Sequence, residues 1–261
     1  MARPLRSARA PRTTRSGALA AAFAALALAA ALAAPAAAAA PAAPAASPAG
    51  TPVAAPPTLA ALLAGFRTLP GFEARFEEEK TLALLAAPLS TRGRLYFDPP
   101  STLLRRVEAP NPHDILIRDH VVRISTPKDV GSPESAAAEA AGERTVETID
   151  LTHRDEVRPL VESMLWIFSG DLAQLESVYT IDYRVTAPAA SGRWQLRLAP
   201  RAAPLSHLIR SLSISGRGHG ADRLEVEEIS GDRTTTRILE ADSQRRFAPG
   251  EIERLFESAG S

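Results

Sequence analysis

The sequence from residue 71 to residue 106 decides the fold, and it reads GFEARFEEEKTLALLAAPLSTRGRLYFDPPSTLLRR. Apolar residues alternate with charged ones over residues 72–76, and a similar alternation returns over residues 93–98. Because a period of two places successive side chains on opposite faces of a strand, both segments are predicted to be strands with one apolar face. The link between them, residues 82–89, is apolar throughout, so some of its surface must contact something other than water.

The first forty residues have the layout of a secretory signal peptide. Five arginines lie within residues 3–15, and an uncharged, alanine-rich run and Ala-x-Ala sites follow before Pro41. A membrane anchor is the alternative, since the apolar run is nearly long enough to span a bilayer. The Ala-Pro tail fits a processing site better than a stop-transfer flank. We therefore predict a cleaved signal peptide over residues 1–40 and a Pro/Ala-rich linker, a disordered spacer, over residues 41–57.

The charge balance and the absence of cysteine exclude several classes of protein. The chain has 30 basic and 30 acidic residues, and losing the five N-terminal arginines leaves 25 basic residues and a net charge of −5. This charge does not suit a nucleic-acid-binding protein. With no cysteine, the chain has neither disulfides nor the lipid-bearing cysteine of a bacterial lipoprotein. We expect a soluble exported product that is a monomer.

The rest of the chain predicts one domain over residues 58–256. Thr58 is predicted to cap a short helix, and consecutive short strands with local turns then indicate an antiparallel sheet. Residues 127–144 are low in complexity and are interpreted as a mobile loop. Helical patterns at residues 160–175, with Asp171 as a cap, interrupt the strands before they resume. The fold class is α+β, mainly antiparallel β, with an open, incomplete β-barrel and a helical lid.

No pattern in the sequence predicts catalysis. The five histidines (residues 113, 120, 153, 207 and 219) are scattered, and there is no G-x-S-x-G serine, no cysteine and no H-x-x-x-H spacing. His219 lies in a glycine-rich segment interpreted as a hairpin connection. The acidic run at residues 77–79 is interpreted as solvated charge beside a strand. We expect no catalytic residue, no metal and no cofactor; an enzyme acting on lipids is the alternative.

The apolar strands and the apolar helix together predict a cavity for a hydrophobic ligand, although for any single residue core packing is the commoner role. Residues 82–89 are expected to form part of its wall and rim. The predicted cavity and lid residues are Phe72, Phe76, Leu84, Leu95, Phe97, Leu104, Ile115, Ile117, Met164, Leu165, Trp166, Phe168 and Trp194.

Four motifs carry a resemblance to a known family: F-x-A-x-F-x-x-x-K at residues 72–80, P-L-S at residues 88–90, G-x-L-x-F-x-x-P at residues 93–100, and G-D-L at residues 170–172. From about residue 59 to residue 238, the sequence resembles the LolA-type family of periplasmic outer-membrane lipoprotein carriers. The resemblance implies a periplasmic protein whose incomplete barrel and helical lid enclose the acyl chains of a lipoprotein. An inner-membrane exporter would supply that cargo, and an outer-membrane receptor would accept it.

The sequence departs from the family at the position of the lid latch. In family carriers an arginine just before the strand proline holds the lid, whereas this chain has Pro99 there. Arg105 or Arg106 is a candidate replacement. The departures leave open whether the cargo is a lipoprotein or another acylated or lipidic molecule. A second hypothesis is an envelope sensor or interaction module that detects acylated ligands with the same face.

Overall fold

The computed structural model describes residues 57–83, 85–127, 144–186 and 192–258. The predicted signal peptide over residues 1–40, nearly all of the predicted linker, most of the predicted loop over residues 127–144, and Leu84 therefore lie outside the described residues. The domain boundaries proposed from the sequence stay predictions.

The described residues form eleven strands, four α-helices and two short 3-10 helices. The strands are β1 (Phe72–Thr81), β2 (Leu89–Asp98), β3 (Thr102–Ala109), β4 (His113–Arg118), β5 (Val121–Pro127), β6 (Arg144–Asp150), β7 (Tyr179–Val185), β8 (Arg193–Pro200), β9 (Ile209–Arg217), β10 (Gly220–Glu228) and β11 (Arg233–Asp242). The α-helices are α1 (Leu59–Arg67), α2 (Arg158–Phe168), α3 (Leu172–Val178) and α4 (Glu251–Glu257). The 3-10 helices are Leu151–His153 and Leu205–His207.

All eleven strands join one antiparallel sheet in the order β6-β5-β4-β3-β2-β1-β11-β10-β9-β8-β7. The first strand lies at its centre, because β1 pairs with β2 on one side and with β11 on the other. The outermost strands, β6 and β7, form the two edges, so the sheet does not close into a barrel. The predicted fold class, an α+β protein with an open antiparallel sheet and helices, is confirmed.

Local signals in the sequence explain where the helices begin and end. The Thr58 hydroxyl accepts a hydrogen bond from the Ala61 amide at 3.2 Å, and the Asp171 carboxylate accepts one from the Gln174 amide at 3.1 Å. Each side chain thus satisfies an amide that has no partner within its helix. Gly170 ends α2 with a φ of +64°, a conformation that glycine adopts without strain. Both predicted caps are confirmed.

The two faces of the sheet carry separate apolar layers. We call the face covered by α1, α2 and α3 the inner face, and it holds the main core. The outer face holds a smaller cluster, in which α4 covers the sheet; its members are Tyr96, Leu104, Leu116, Ile252 and Phe256. Leu104, which we predicted to line the cavity, therefore lies on the wrong face for that role. Strand alternation explains the error, because Leu103 and Val107 of the same strand face the main core.

Candidate ligand-binding interior

The inner face gathers most of the predicted cavity residues into one apolar core between the sheet and the helices. Phe72, Phe76, Leu95, Phe97, Ile115, Ile117, Met164, Leu165, Phe168 and Trp194 are all buried there. Trp166 is partly buried against the same core. The strand residues among them come from strands far apart in sequence that the antiparallel pairing brings to one face, and the remaining residues come from α2, which covers that face. Their role in ligand binding stays a prediction.

Three aromatic rings form the contact between the sheet and α2. Phe72 and Phe97 lie opposite each other on β1 and β2, with their ring centroids 5.5 Å apart. The Phe168 ring, from the end of α2, lies 4.9 Å from Phe72 and 4.7 Å from Phe97. These distances are those of closely packed aromatic pairs. In this conformation a side chain of α2 therefore fills the apolar space on the sheet.

The C-terminal end of α2 is hydrogen-bonded to the last residue of α1. The Arg67 guanidinium donates hydrogen bonds to the carbonyl of Gly170 at 2.9 Å and to that of Ser169 at 3.4 Å. A positive side chain suits the carbonyl end of a helix. The backbones also approach closely here, since a Cβ added to Gly170 would lie 2.3 Å from the Leu63 carbonyl oxygen. Sequence reasoning missed Arg67, which gave no signal beyond its position at the end of a helix.

Two further polar contacts attach α2 to its surroundings. The hydroxyls of Ser163 and Tyr179 are 2.6 Å apart in a buried position. Burial raises the pKa of Tyr179 to about 12, although the hydrogen bond with Ser163 opposes the shift, so this hydroxyl stays protonated at neutral pH. At the exposed turn between β4 and β5, His120 Nδ1 lies 3.1 Å from a Glu162 carboxylate oxygen. Nothing in the sequence pairs these distant residues, so both contacts were missed.

A buried ion pair lies on the inner face beside the apolar core. The Arg105 guanidinium donates to both carboxylate oxygens of Glu78, at 3.0 and 2.9 Å. The Thr236 hydroxyl donates to the same carboxylate at 2.8 Å, and the guanidinium lies 4.5 Å from the centroid of the Phe76 ring. Glu78 and Arg105 are only 3% and 2% exposed. The interpretation of the acidic run as solvated charge is therefore wrong for Glu78.

The predicted latch residues lie on opposite faces of β3. Arg105 binds Glu78 within the sheet, whereas Arg106 points to the outer face, where it donates to the Asp114 carboxylate at 3.1 Å and to the Leu255 carbonyl of α4. Arg106 therefore cannot hold α2, and that part of the prediction is wrong. The observed polar attachments of α2 come from other parts of the chain.

The described residues of the apolar link, 82–83 and 85–89, do not lie beneath the helices, so the prediction that they form the cavity wall is wrong. Leu85 and Leu89 are about half exposed at the tip of the β1–β2 hairpin. The ten residues of β1 separate this tip from Phe72 by roughly 30 Å at the usual rise of a strand. Phe72 contacts α2, so the tip lies at the far end of the sheet from that helix.

Two openings on the surface differ in character from the apolar interior. One, of about 450 Å³, lies near the β1–β2 tip and is lined by Glu77, Glu78, Glu79, Ser90, Thr91, Arg92, Ala109 and Pro110. The other, of about 240 Å³, is lined by polar and charged residues of β7 to β11 such as Gln195, Arg197 and Ser213. In the described part of the chain, no group of three or more His, Asp or Glu side chains is placed to hold a metal ion. Among the described helices, none has the length and apolar character needed to cross a membrane.

Comparison with known proteins identifies a family. The family model described as "Outer membrane lipoprotein carrier protein LolA-like" matches residues 63–248. No curated protein matches the sequence significantly.

Three solved structures are similar at low identity. A LolA superfamily protein from Nitrosomonas europaea is 10% identical, with 73% of this chain and 94% of that chain covered and a TM-score of 0.37. A DUF1329 family protein from Desulfovibrio piger is 11% identical, with 77% and 95% covered and a TM-score of 0.42. The MucB chain in the MucA/MucB complex of Pseudomonas aeruginosa is 10% identical, with 73% and 57% covered and a TM-score of 0.38.

The family model covers well over half of the chain, and its matched range includes all eleven described strands in full together with α2 and α3. The resemblance expected from the motifs at residues 72–80 and 93–100 is thereby confirmed. The chain belongs to the LolA-like family of outer membrane lipoprotein carrier proteins.

Proposed function

We propose that this protein is a periplasmic carrier that binds the acyl chains of a lipoprotein or a related lipid and moves them from the inner to the outer membrane. The acyl chains would occupy the inner face of the sheet, in the space that side chains of α2 fill in the present conformation. An inner-membrane exporter and an outer-membrane receptor are the partners that the family implies. The proposed activity is binding and release, without catalysis.

The packing of Phe168 between Phe72 and Phe97 is the observation that carries this proposal. An acyl chain is an apolar cylinder that could replace the Phe168 ring against the same two side chains. Burying acyl carbons contributes roughly 0.8 kcal/mol per CH₂ group. The contacts of α2 with the sheet must be broken before an acyl chain can bind. Because these contacts re-form when the cargo leaves, they lower the net affinity for cargo and keep release possible.

The polar attachments of α2 suit a helix that moves as a unit. Arg67 holds its C-terminal end, and the His120–Glu162 contact lies at an exposed turn. The His120 side chain of this contact is 64% exposed, and a polar contact at the surface contributes about 0–1 kcal/mol, so it does not lock the helix against the sheet. Most of the adhesion of α2 is apolar, and an apolar ligand can replace it.

A binding assay with a fluorescent sixteen-carbon fatty acid tests the proposal, using two matched variants. Phe168 and Phe256 are both fully buried phenylalanines, but they lie on the inner and outer faces respectively. Phe168→Leu should weaken the competing contact of α2 and tighten probe binding about fivefold, if roughly 1 kcal/mol of packing is lost. Phe256→Leu should leave probe affinity unchanged. Equal effects of the two variants, or no probe binding by the parent protein, would contradict the proposal.

To identify the cargo, the protein must be purified from its native compartment together with any bound molecules. Mass spectrometry should find acylated molecules that co-purify with the parent protein and whose amount changes with Phe168→Leu. Depletion in cells then separates the carrier from the envelope-sensor alternative, because losing a carrier strands cargo at the inner membrane. Loss of a sensor would alter only a stress response.

A further inference from the structure

Two neighbouring hairpin tips expose large aliphatic side chains at the end of the sheet away from α2. Leu85 and Leu89, in the β1–β2 tip, are 48% and 50% exposed, and Ile229, in the β10–β11 tip, is 47% exposed. We call these three residues the hairpin patch. The proposed carrier function assigns them no role, because they lie far from the apolar interior.

Specific contacts hold the two tips side by side. Strands β1 and β11 stay paired as far as Thr81 opposite Arg233. The Ala83 amide donates a hydrogen bond to Asp232 Oδ1 at 2.9 Å, which joins one tip to the other. Lys80 Nζ lies 2.9 Å from a Glu228 carboxylate oxygen, and this ion pair is largely shielded from solvent. These contacts join residues 80–83 of the first tip to residues 228–233 of the second, so the two tips lie next to each other.

The β1–β2 tip itself has no charged residue, and charged residues of both signs lie on both sides of it. Residues 81–91 contain no charged residue. Apart from the shielded Lys80–Glu228 pair, the charged side chains that flank the two tips are Glu77, Glu79, Arg92, Asp232 and Arg233. They have no excess of positive charge, so they do not form the basic cluster that recognises anionic lipids. Mixed charges around an apolar tip do complement zwitterionic headgroups, which carry a phosphate and an ammonium group.

We propose that the hairpin patch docks the protein on the surface of a zwitterionic phospholipid membrane. Leu85, Leu89 and Ile229 reach the boundary of the acyl region, while the flanking charged side chains stay among the headgroups. Protruding tips suit a fluid lipid layer, which adapts to their shape, whereas a protein partner would need a matching groove. The inference goes beyond the proposed carrier function, because it concerns contact with the membrane and does not depend on any cargo in the interior.

Vesicle flotation with the purified full chain tests this docking. The vesicles contain phosphatidylcholine and phosphatidylethanolamine, and the test variant is Leu85→Ser/Leu89→Ser/Ile229→Ser. A matched control, Val146→Ser/Val185→Ser/Leu239→Ser, removes three similarly exposed aliphatic residues at other positions. The test variant should lower the partition onto vesicles at least tenfold, and the control should stay within about twofold of the parent protein. Replacing a third of the lipid with phosphatidylglycerol should not increase binding.

Three results would overturn the proposal: no flotation of the parent protein, equal flotation of the two triple variants, or binding that rises with phosphatidylglycerol and falls with salt. Sedimentation equilibrium gives a fourth, since a dimer that only the test variant loses would assign the patch to a second copy of the chain. Phe168→Leu separates docking from acyl binding. Phe168→Leu should leave flotation unchanged, and an increase in flotation would attribute vesicle binding to the interior, where this variant is expected to tighten acyl binding.

Discussion

Glu78 and Arg105 show how a single ion pair within the apolar layer affects stability. Both side chains are buried, and Glu78 neutralises the Arg105 guanidinium through two hydrogen bonds. Glu78→Gln removes that negative charge and leaves a buried positive charge, so we expect a loss of about 3–5 kcal/mol in the free energy of unfolding. Urea denaturation monitored by tryptophan fluorescence measures this change.

Two further variants test whether the loss of stability in Glu78→Gln comes from the uncompensated buried charge. Glu79→Gln changes the next residue, whose side chain is 50% exposed, and should alter stability by no more than about 0.5 kcal/mol. Glu78→Met combined with Arg105→Met should recover most of the loss, because an apolar pair needs no charge compensation. If Glu78→Gln and Glu79→Gln had equal effects, the buried pair would not have the predicted importance.

His113 links stability to pH. Burial lowers the pKa of His113 below its ordinary value of 6.5, although the hydrogen bond from its Nδ1 to the Asn111 carbonyl opposes the shift. The unfolded chain therefore binds a proton more readily than the folded one. Stability should fall as the pH drops through 6.5 towards the folded pKa, with a slope of at most about 1.4 kcal/mol per pH unit from this group.

Comparison of the parent protein with His113→Asn isolates this contribution, because asparagine keeps a hydrogen-bond donor but does not titrate. The unfolding free energy measured between pH 7.5 and 5.5 should decrease more in the parent protein than in the variant. Parallel pH profiles would contradict the assignment to His113.

The sequence already contained the signal that Glu78 is buried. Phe72, Ala74, Phe76 and Glu78 follow one another at a period of two, which places the carboxylate on the apolar face. The interpretation of residues 77–79 as a single solvated run ignored that period. The partner could not be predicted in the same way, because nothing local joins Glu78 to Arg105, 27 residues away.

The junction of α1 and α2 depends on one glycine. Gly170 has a positive φ, and an added Cβ would lie 2.3 Å from the Leu63 carbonyl oxygen. Gly170→Ala therefore combines backbone strain with a clash against α1. We expect it to lower the thermal unfolding midpoint and to increase amide hydrogen exchange in α2.

Gly218→Ala is the matched control for backbone strain alone. Gly218 has a φ of +56°, but an added Cβ would meet nothing within 4 Å. We expect Gly218→Ala to lower the free energy of unfolding by about 1–2 kcal/mol, the usual penalty of the left-handed conformation for a residue with a Cβ. The loss of stability in Gly170→Ala should exceed this value, and equal losses would show that the close approach of the two helices contributes nothing.

Whole elements were predictable where local chemistry determines them. Period-two patterns located β1 and β2, and Thr58 and Asp171 located the starts of α1 and α3. The exposure of the described residues of the link, 82–83 and 85–89, was not predictable, because an apolar segment gives the same pattern whether it is covered or exposed. Leu104 was misplaced for a related reason: both faces of β3 carry apolar residues, so alternation could not distinguish them.

At the scale of the whole molecule, the sheet separates two apolar layers that should contribute independently to stability. Phe168 packs on the inner face and Phe256 on the outer face, with the sheet between them. The losses of unfolding free energy caused by Phe168→Leu and Phe256→Leu should therefore add within about 0.5 kcal/mol in the double variant. Urea denaturation of the four proteins measures this coupling. A larger coupling energy would mean that the sheet transmits strain between its faces.

The unclosed sheet has a consequence for the size of the molecules that the interior could accept. In a closed barrel the ring of strand pairings fixes the circumference. Here β6 and β7 are not paired with each other, so the sheet can flatten or curl without breaking any hydrogen bond between strands. In the proposed carrier, the size of the cargo would then be limited by the energy needed to bend the sheet and not by a fixed circumference. Affinity across a series of lengthening acyl chains should decline gradually, without the sharp cut-off that a rigid ring would impose.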